Sequence, residues 1–228
     1  MAEAAKVRRQ AYVTPTTSVK TDRSKRSNTE AGLTAVQRVA LAREENRIRN
    51  YKTERAVVVD DKGNVNPSGN PMVDSRGNEV TSGSNNRVRL DSRKIPENSV
   101  LTHNHPTDSV GLAGRVGSAF SGNDIRTAVR RNLREVRAVT PNYVFSAKRP
   151  AGGWKFDGDE FLREYNRRYE RYAAIYATST RNMLNRNGGI SARDANVYNN
   201  RLNVAIANRV MRELSQKYGF SYTRRRSS

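Results

Sequence analysis

From Leu33 to about Tyr51 the apolar residues Leu33, Val36, Ala40, Leu41 and Ile48 recur at helical spacing, and charged residues fill the positions between them. That period predicts an amphipathic helix within residues 29–51. Glu54 stands where the pattern changes to "RAVVVDDKGNV", a β-branched run closed by Lys62-Gly63-Asn64, which predicts a strand and a turn. Residues 66–86 are rich in Asn, Ser, Gly and Pro and predict a hairpin or loop, and the alternating "NRVRLDS" after them predicts a strand. "KIPENS" turns, and Val100 and Leu101 open a further strand. Ser121, with Asp124 three residues on, has the Ser-x-x-acid form of a helix start, and Ile125, Val129 and Leu133 mark one face of that helix. "EVRAV" and "YVFSA" then read as strands on either side of a Pro141-Asn142 turn.

Beyond Trp154 the pattern is helical throughout. Leu162, Tyr165, Tyr169, Tyr172 and Tyr176 alternate steps of three and four, and Asn187-Gly188-Gly189 breaks the run. Ser191 and Asp194 open a second helix with the face Tyr198, Leu202, Ile206, Val210, Leu214 and Tyr218, which Gly219 stops. The tyrosine stripe reads as packing rather than as a platform for stacked bases. The expected organisation is a basic flexible arm over residues 1–28, a small α+β domain with a mixed sheet over 29–150, and a basic helical region over 151–228, a hairpin or a helix pair packed on something else, closed by the basic tip "TRRRSS".

Charge narrows the classes of partner. The 42 Lys and Arg residues against 22 Asp and Glu give a net charge of +20 over 228 residues, which favours a polyanion such as nucleic acid or an acidic neighbour and carries no sequence specificity by itself. Mean hydropathy is −0.86, so only part of the chain is expected to bury a core. There is no cysteine, which excludes disulfides and thiolate metal sites and leaves nitrogen and oxygen as metal ligands. No apolar run is long enough to span a membrane, and the N-terminus has no signal-peptide hydrophobic region, so synthesis in the cytoplasm is the expectation.

Both histidines of the chain lie in "THNHP", as His103 and His105. Residues two apart on a strand face the same side, so the two imidazoles are adjacent, which is half of a divalent-metal site. Pro106 ends the ladder immediately afterwards. Asp124, from the helix that follows, adds a carboxylate to make a two-His, one-Asp set whose open fourth position is the mark of a catalytic zinc site. Plainer readings stand beside this one. A neutral histidine pair can be a satisfied core feature, and Ser121 with Asp124 can be a helix cap alone. The string "HNH" is not evidence for an HNH nuclease, whose named residues lie in separate elements.

His103-x-His105-Pro106 followed by Ser121-x-x-Asp124 resembles the HxHP…SxxD signature of JAB/MPN (JAMM) domains, zinc metallopeptidases that cleave peptide or isopeptide bonds. The resemblance implies Zn2+ held by His103, His105 and Asp124, with Ser121 steadying the oxyanion. It also implies a glutamate from an earlier strand acting as general base, a place that Glu54 matches. Glu44, Glu45, Glu79 and Glu135 are alternatives for the base, and the first two of these sit on a helix where an exposed, solvated face is expected. "ERAVVVDDKGNV", "VLTHNHP", "FSGNDI" and "REVRAVTPNYVFSAKRP…GW" together look like the JAB-like domain of bacteriophage head-morphogenesis and minor capsid proteins, over about residues 50–155. Incorporation in a virion and contact with other virion proteins are what that likeness implies. One departure is the interval from His105 to Ser121, lengthened by "SVGLAGRVGSA"; a loop can lengthen with little cost, about 0.6 kcal/mol per doubling, so Asp124 stays the third ligand with Asp108 as its substitute.

Two other classes of function fit the composition. In one, the fold is a non-catalytic scaffold and the basic arm and tail bind nucleic acid or an acidic virion protein. In the other, the chain is a metal-dependent nuclease or toxin, with only these histidines to work with.

Overall fold

The computed structural model describes residues 32–51, 54–69, 95–106, 119–186 and 191–227. The elements run α1 (Ala35–Ile48), β1 (Ala56–Val59), β2 (Val65–Gly69), β3 (Val100–Asn104), α2 (Gly122–Arg130), β4 (Glu135–Val139), β5 (Tyr143–Lys148), α3 (Gly158–Arg186), α4 (Ala192–Tyr218) and β6 (Ser221–Arg226). The expected arm over 1–28, the strand "NRVRLDS", Glu79 and Asp108 lie outside the described residues.

The six strands form one mixed sheet in the order β2-β1-β3-β4-β5-β6. β3 and β4 are parallel and are joined through α2, and the other neighbours are antiparallel. Strand alternation sends the two faces of the sheet to different helices. Val57, Val59, Val100, Val139 and Val144 pack under α1 with Leu33, Ala40, Leu41 and Ile48. Ala56, Val58, Leu101, Val136, Ala138, Phe145 and Ala147 face the other way, where they meet Ile125, Phe161, Ile206, Val210 and Leu214 of the remaining helices. The architecture is α+β with a mixed sheet, flanking helices and a C-terminal helical hairpin.

Local chemistry accounts for the element ends. Thr34 accepts the Gln37 N–H at 3.2 Å, and Gln37 reaches back to the Thr34 N–H at 3.1 Å, a reciprocal cap that starts α1. Gly219 takes φ +74, the left-handed conformation that ends α4 at little steric cost.

Tertiary contacts correct two expectations, on the basic tip and on the helix glutamates, and place the C-terminal helices. The "TRRRSS" tip is not a free tail: Ser221–Arg226 is β6, paired antiparallel with β5 from Tyr143↔Arg226 to Lys148↔Ser221. The helical region after residue 150 packs with the rest of the described chain, as Gly32–Ser228 forms one compact unit. Glu44 and Glu45 are buried, not solvated. Glu44 pairs with Arg47 at 2.7 Å, and Glu45 takes the Arg137 Nε at 2.5 Å, with Glu135 on the same guanidinium at 3.1 Å. Glu135 also accepts the Ser146 hydroxyl at 2.5 Å. A buried arginine between two carboxylates ties α1 to the back of β4 and β5.

Candidate metal centre

Leu101 faces the core shared with α3 and α4, so His103, and His105 just beyond the strand, lie on that same face of β3. In the antiparallel register Ala56 stands opposite His103, and the pairing continues with the Asn104 N–H donating to the Arg55 carbonyl at 3.0 Å. One step further sets Glu54 against His105, on the face that Ala56 shares. The result is a group, Glu54, His103 and His105, whose ligand atoms all lie within 4.8 Å of one another and which can hold a metal ion.

α2 supplies the carboxylate opposite. Asp124 Oδ1 lies 3.2 Å from His103 Nε2 and Oδ2 lies 4.0 Å from His105 Nε2. The two Nε2 atoms face each other at 2.9 Å. A tetrahedral ion with ligands at about 2.0–2.1 Å sets its donor atoms about 3.3 Å apart. The observed spacings straddle that value, so the donors fit a small ion with sub-ångström adjustment. With opposite tautomers the imidazoles also satisfy each other without a metal, but a simple core pair has no need of two carboxylates converging on it.

Asp124 is a cap and a site residue at once. Its Oδ2 accepts the Ser121 N–H at 2.7 Å and the Ser121 hydroxyl at 3.0 Å, while Oδ1 turns to His103. Burial pushes this carboxyl up, but His103, His105 and the Ser121 N–H outweigh burial and hold it at about 2. A position in the first turn of α2 favours the anion as well. His103 is driven down by burial, yet Asp124 first and Glu54 after it raise it above its ordinary value. Glu54 is pushed up to about 7, chiefly by burial, with Asp124 adding to the rise and His103 opposing it. The site thus holds one firm anion, one cation-prone imidazole and one carboxyl poised near neutrality.

The structure brings His103, His105, Asp124, Glu54 and Ser121 together. Glu45 and Glu135 are bound to Arg137 on the opposite face of the sheet, and Glu44 to Arg43 and Arg47, so these alternatives for a base are spoken for. Two supporting residues carry no signal of this role in the sequence, where Tyr165 reads only as part of the packing stripe of its helix. Tyr165 on α3 donates its hydroxyl to the Phe120 carbonyl at 3.0 Å, fixing the chain just before Ser121. Gly122 lets α2 approach α3 so closely that an added Cβ would stand 2.7 Å from Leu162 Cδ1 and 3.1 Å from the Tyr165 ring.

Among the described residues no helix is long and apolar enough to cross a membrane. Comparison with protein-family models, with curated proteins and with solved structures finds no match for this chain.

Proposed function

We propose that this chain is a metal-dependent hydrolase of peptide or isopeptide bonds, of the kind that its HxHP…SxxD motif resembles, with Zn2+ as the ion. The observation that carries the reading is the gathering of Glu54, His103 and His105, from the lead-in to β1 and from β3, with ligand atoms within 4.8 Å of one another, and of Asp124 from the start of α2 at 3.2 Å from His103 and 4.0 Å from His105. His103, His105 and Asp124 hold the ion. When bound, zinc supplies Lewis acidity, polarising a carbonyl or a water at neutral pH. Glu54, beside the imidazoles, takes the proton of the attacking water and passes it to the leaving amine. Ser121 is exposed beside Asp124, and its hydroxyl turns from Asp124 to donate to the developing oxyanion. Association with a virion or its assembly belongs to the same proposal and rests on the resemblance of residues 50–155 alone.

The test is elemental analysis of protein prepared with zinc present, followed by peptidase assays. Wild type carries one zinc per chain, His103→Ala and His105→Ala lose it, and Glu54→Gln keeps it but loses hydrolysis. A zinc-free wild type, or a fully active Glu54→Gln, sinks the reading.

A second reading has its own support. Arg224 and Arg226 on β6 are exposed and Arg225 is half-buried, and none of the three has a carboxylate partner among the described residues. A row of unneutralised guanidiniums on an edge strand, in a chain of net charge +20, suits a polyanion, and a basic nucleic-acid-binding scaffold explains it without catalysis.

A further inference from the structure

Asn104 stands between the two histidines and, by strand alternation, points to the opposite face of β3. It is fully buried. Its carboxamide spans the chain on either side of Glu54: Nδ2 donates to the Tyr51 carbonyl at 3.1 Å, and Oδ1 accepts the Arg55 N–H at 2.5 Å. The Asn104 main-chain N–H donates to the Arg55 carbonyl at 3.0 Å, and the Arg55 guanidinium lies 4.8 Å over the Tyr51 ring, drawing the same two residues together. Tyr51 is itself tied to the end of α1 by its N–H to the Ile48 carbonyl at 3.1 Å.

We propose that Asn104 is a positioning residue that holds Glu54 over the His103–His105 pair. The inference rests on the reading of Glu54 as the carboxylate that moves protons at this site. Residue chemistry supports it: the clamp needs a donor and an acceptor on one short planar group. Ionised Asp lacks the donor, Ala lacks both, and Gln carries the amide one methylene too far. One tripeptide therefore does two jobs, its outer members presenting imidazoles and its middle member fixing the segment that brings the carboxylate to them. Residues touching neither the ion nor the substrate set such geometry to within fractions of an ångström.

The experiment uses the full chain, as wild type, Asn104→Ala and Asn104→Asp. NMR contacts between the Glu54 side chain and the His103 and His105 rings are expected in the wild type, weakened in Asn104→Asp, which keeps the Arg55 acceptor, and lost in Asn104→Ala. Contacts between His103 and Phe120 persist in all three, because they depend on the other face of the strand. The Arg55 amide exchanges with solvent at least about tenfold faster in Asn104→Ala than in the wild type. Zinc affinity supplies a second readout, since the Glu54 charge lies within 4.8 Å of both imidazoles and strengthens binding without being needed to retain the ion: Asn104→Ala weakens affinity in the wild type but has no further effect in a Glu54→Gln background. Persistence of the Glu54–imidazole contacts in Asn104→Ala, or multiplicative effects in the zinc cycle, overturns the proposal. If neither variant folds, the wild-type Arg55 amide decides, since exchange as fast as an exposed loop overturns the clamp and protection supports it. A wild type that binds no zinc removes the metal reading, while the NMR contacts still decide whether Asn104 positions Glu54.

Discussion

The Tyr165 hydroxyl donates to the Phe120 carbonyl at 3.0 Å, joining a helix of the C-terminal region to the last residue before the Ser121–Asp124 turn. Tyr165 is buried, and its ring also closes over Gly122. The C-terminal helices are thereby part of the wall that presents Asp124. Tyr165→Phe removes the bond and leaves a buried carbonyl short of a partner, and is expected to cost about 1–3 kcal/mol in urea unfolding and to weaken zinc binding. Gly122→Ala, which forces α2 away from Leu162 and Tyr165, is expected to weaken zinc binding more than Tyr165→Phe does. Unchanged zinc affinity in both variants would detach the helices from the site.

Zinc binding should be linked to protons. His103 is raised above its ordinary value by Asp124 and Glu54, so it holds its proton more firmly than a free imidazole and must release it to ligate. Apparent affinity therefore rises with pH, and binding releases protons at the acid end. Calorimetric titration in buffers of different ionisation enthalpy counts these protons, and a count of zero contradicts the proposed ligand set.

Glu54 gives the metal-free protein a pH dependence of definite sign. Its carboxyl is raised from an ordinary 4.5 to about 7, so the folded chain holds this proton more tightly than the unfolded chain does. The stability that this confers is complete below pH 4.5 and is lost as pH rises through 7. Glu54→Gln removes that loss, so the variant gains stability relative to wild type between pH 4.5 and 8, at most on the order of 3 kcal/mol. Thermal melts of both metal-free proteins across that range check it, and a difference that shrinks with rising pH would refute the burial of the ionised form.

Behind the histidines, Arg137 bridges Glu45 and Glu135 with almost no solvent exposure. Arg137→Met leaves two buried carboxylates without a counter-charge and is expected to cost about 3–5 kcal/mol. Replacing all three residues with apolar ones of similar volume should recover most of that loss. Urea unfolding of the single and triple variants separates the two outcomes.

The charge makes a separate prediction. Binding to double-stranded DNA should show little sequence preference, and log affinity should fall with log salt at a slope of about −0.9 per phosphate neutralised. Deleting residues 1–28, or replacing Arg224 and Arg226 with Gln, should make that slope shallower, whereas His103→Ala should leave it unchanged. A salt titration of these proteins measures it, and no binding at low salt would direct the +20 charge to an acidic protein neighbour instead.

Much of the architecture is legible in local pattern. The valine run, the alternation of "EVRAV" and "YVFSA" and the Ser-x-x-Asp starts correspond to β1, β4, β5, α2 and α4. "THNHP" is legible because period two sets His103 and His105 on one side whatever lies beyond them. The same alternation points Asn104 the other way, but nothing local says that Tyr51 and Arg55 wait there. The arginines of "TRRRSS" hide their strand for a related reason: an edge strand of charged residues has no apolar stripe, and only the free backbone of β5 gives it a place.

What this sequence settles by itself are the features whose cause lies within a few residues: helix and strand periods, caps, the absence of thiols, the net charge and the facing imidazoles. Which carboxylates answer those imidazoles was decided by tertiary structure. Glu45 lies in a helix and Glu54 beside a strand, and both could have supplied a base. Antiparallel register delivers Glu54 to His105, while the opposite face of the same sheet gives Glu45 to Arg137. Pairing register and sheet facing are set by long-range burial of apolar area and by the neutralisation of buried charge, and neither is encoded in the spacing of neighbours along the chain.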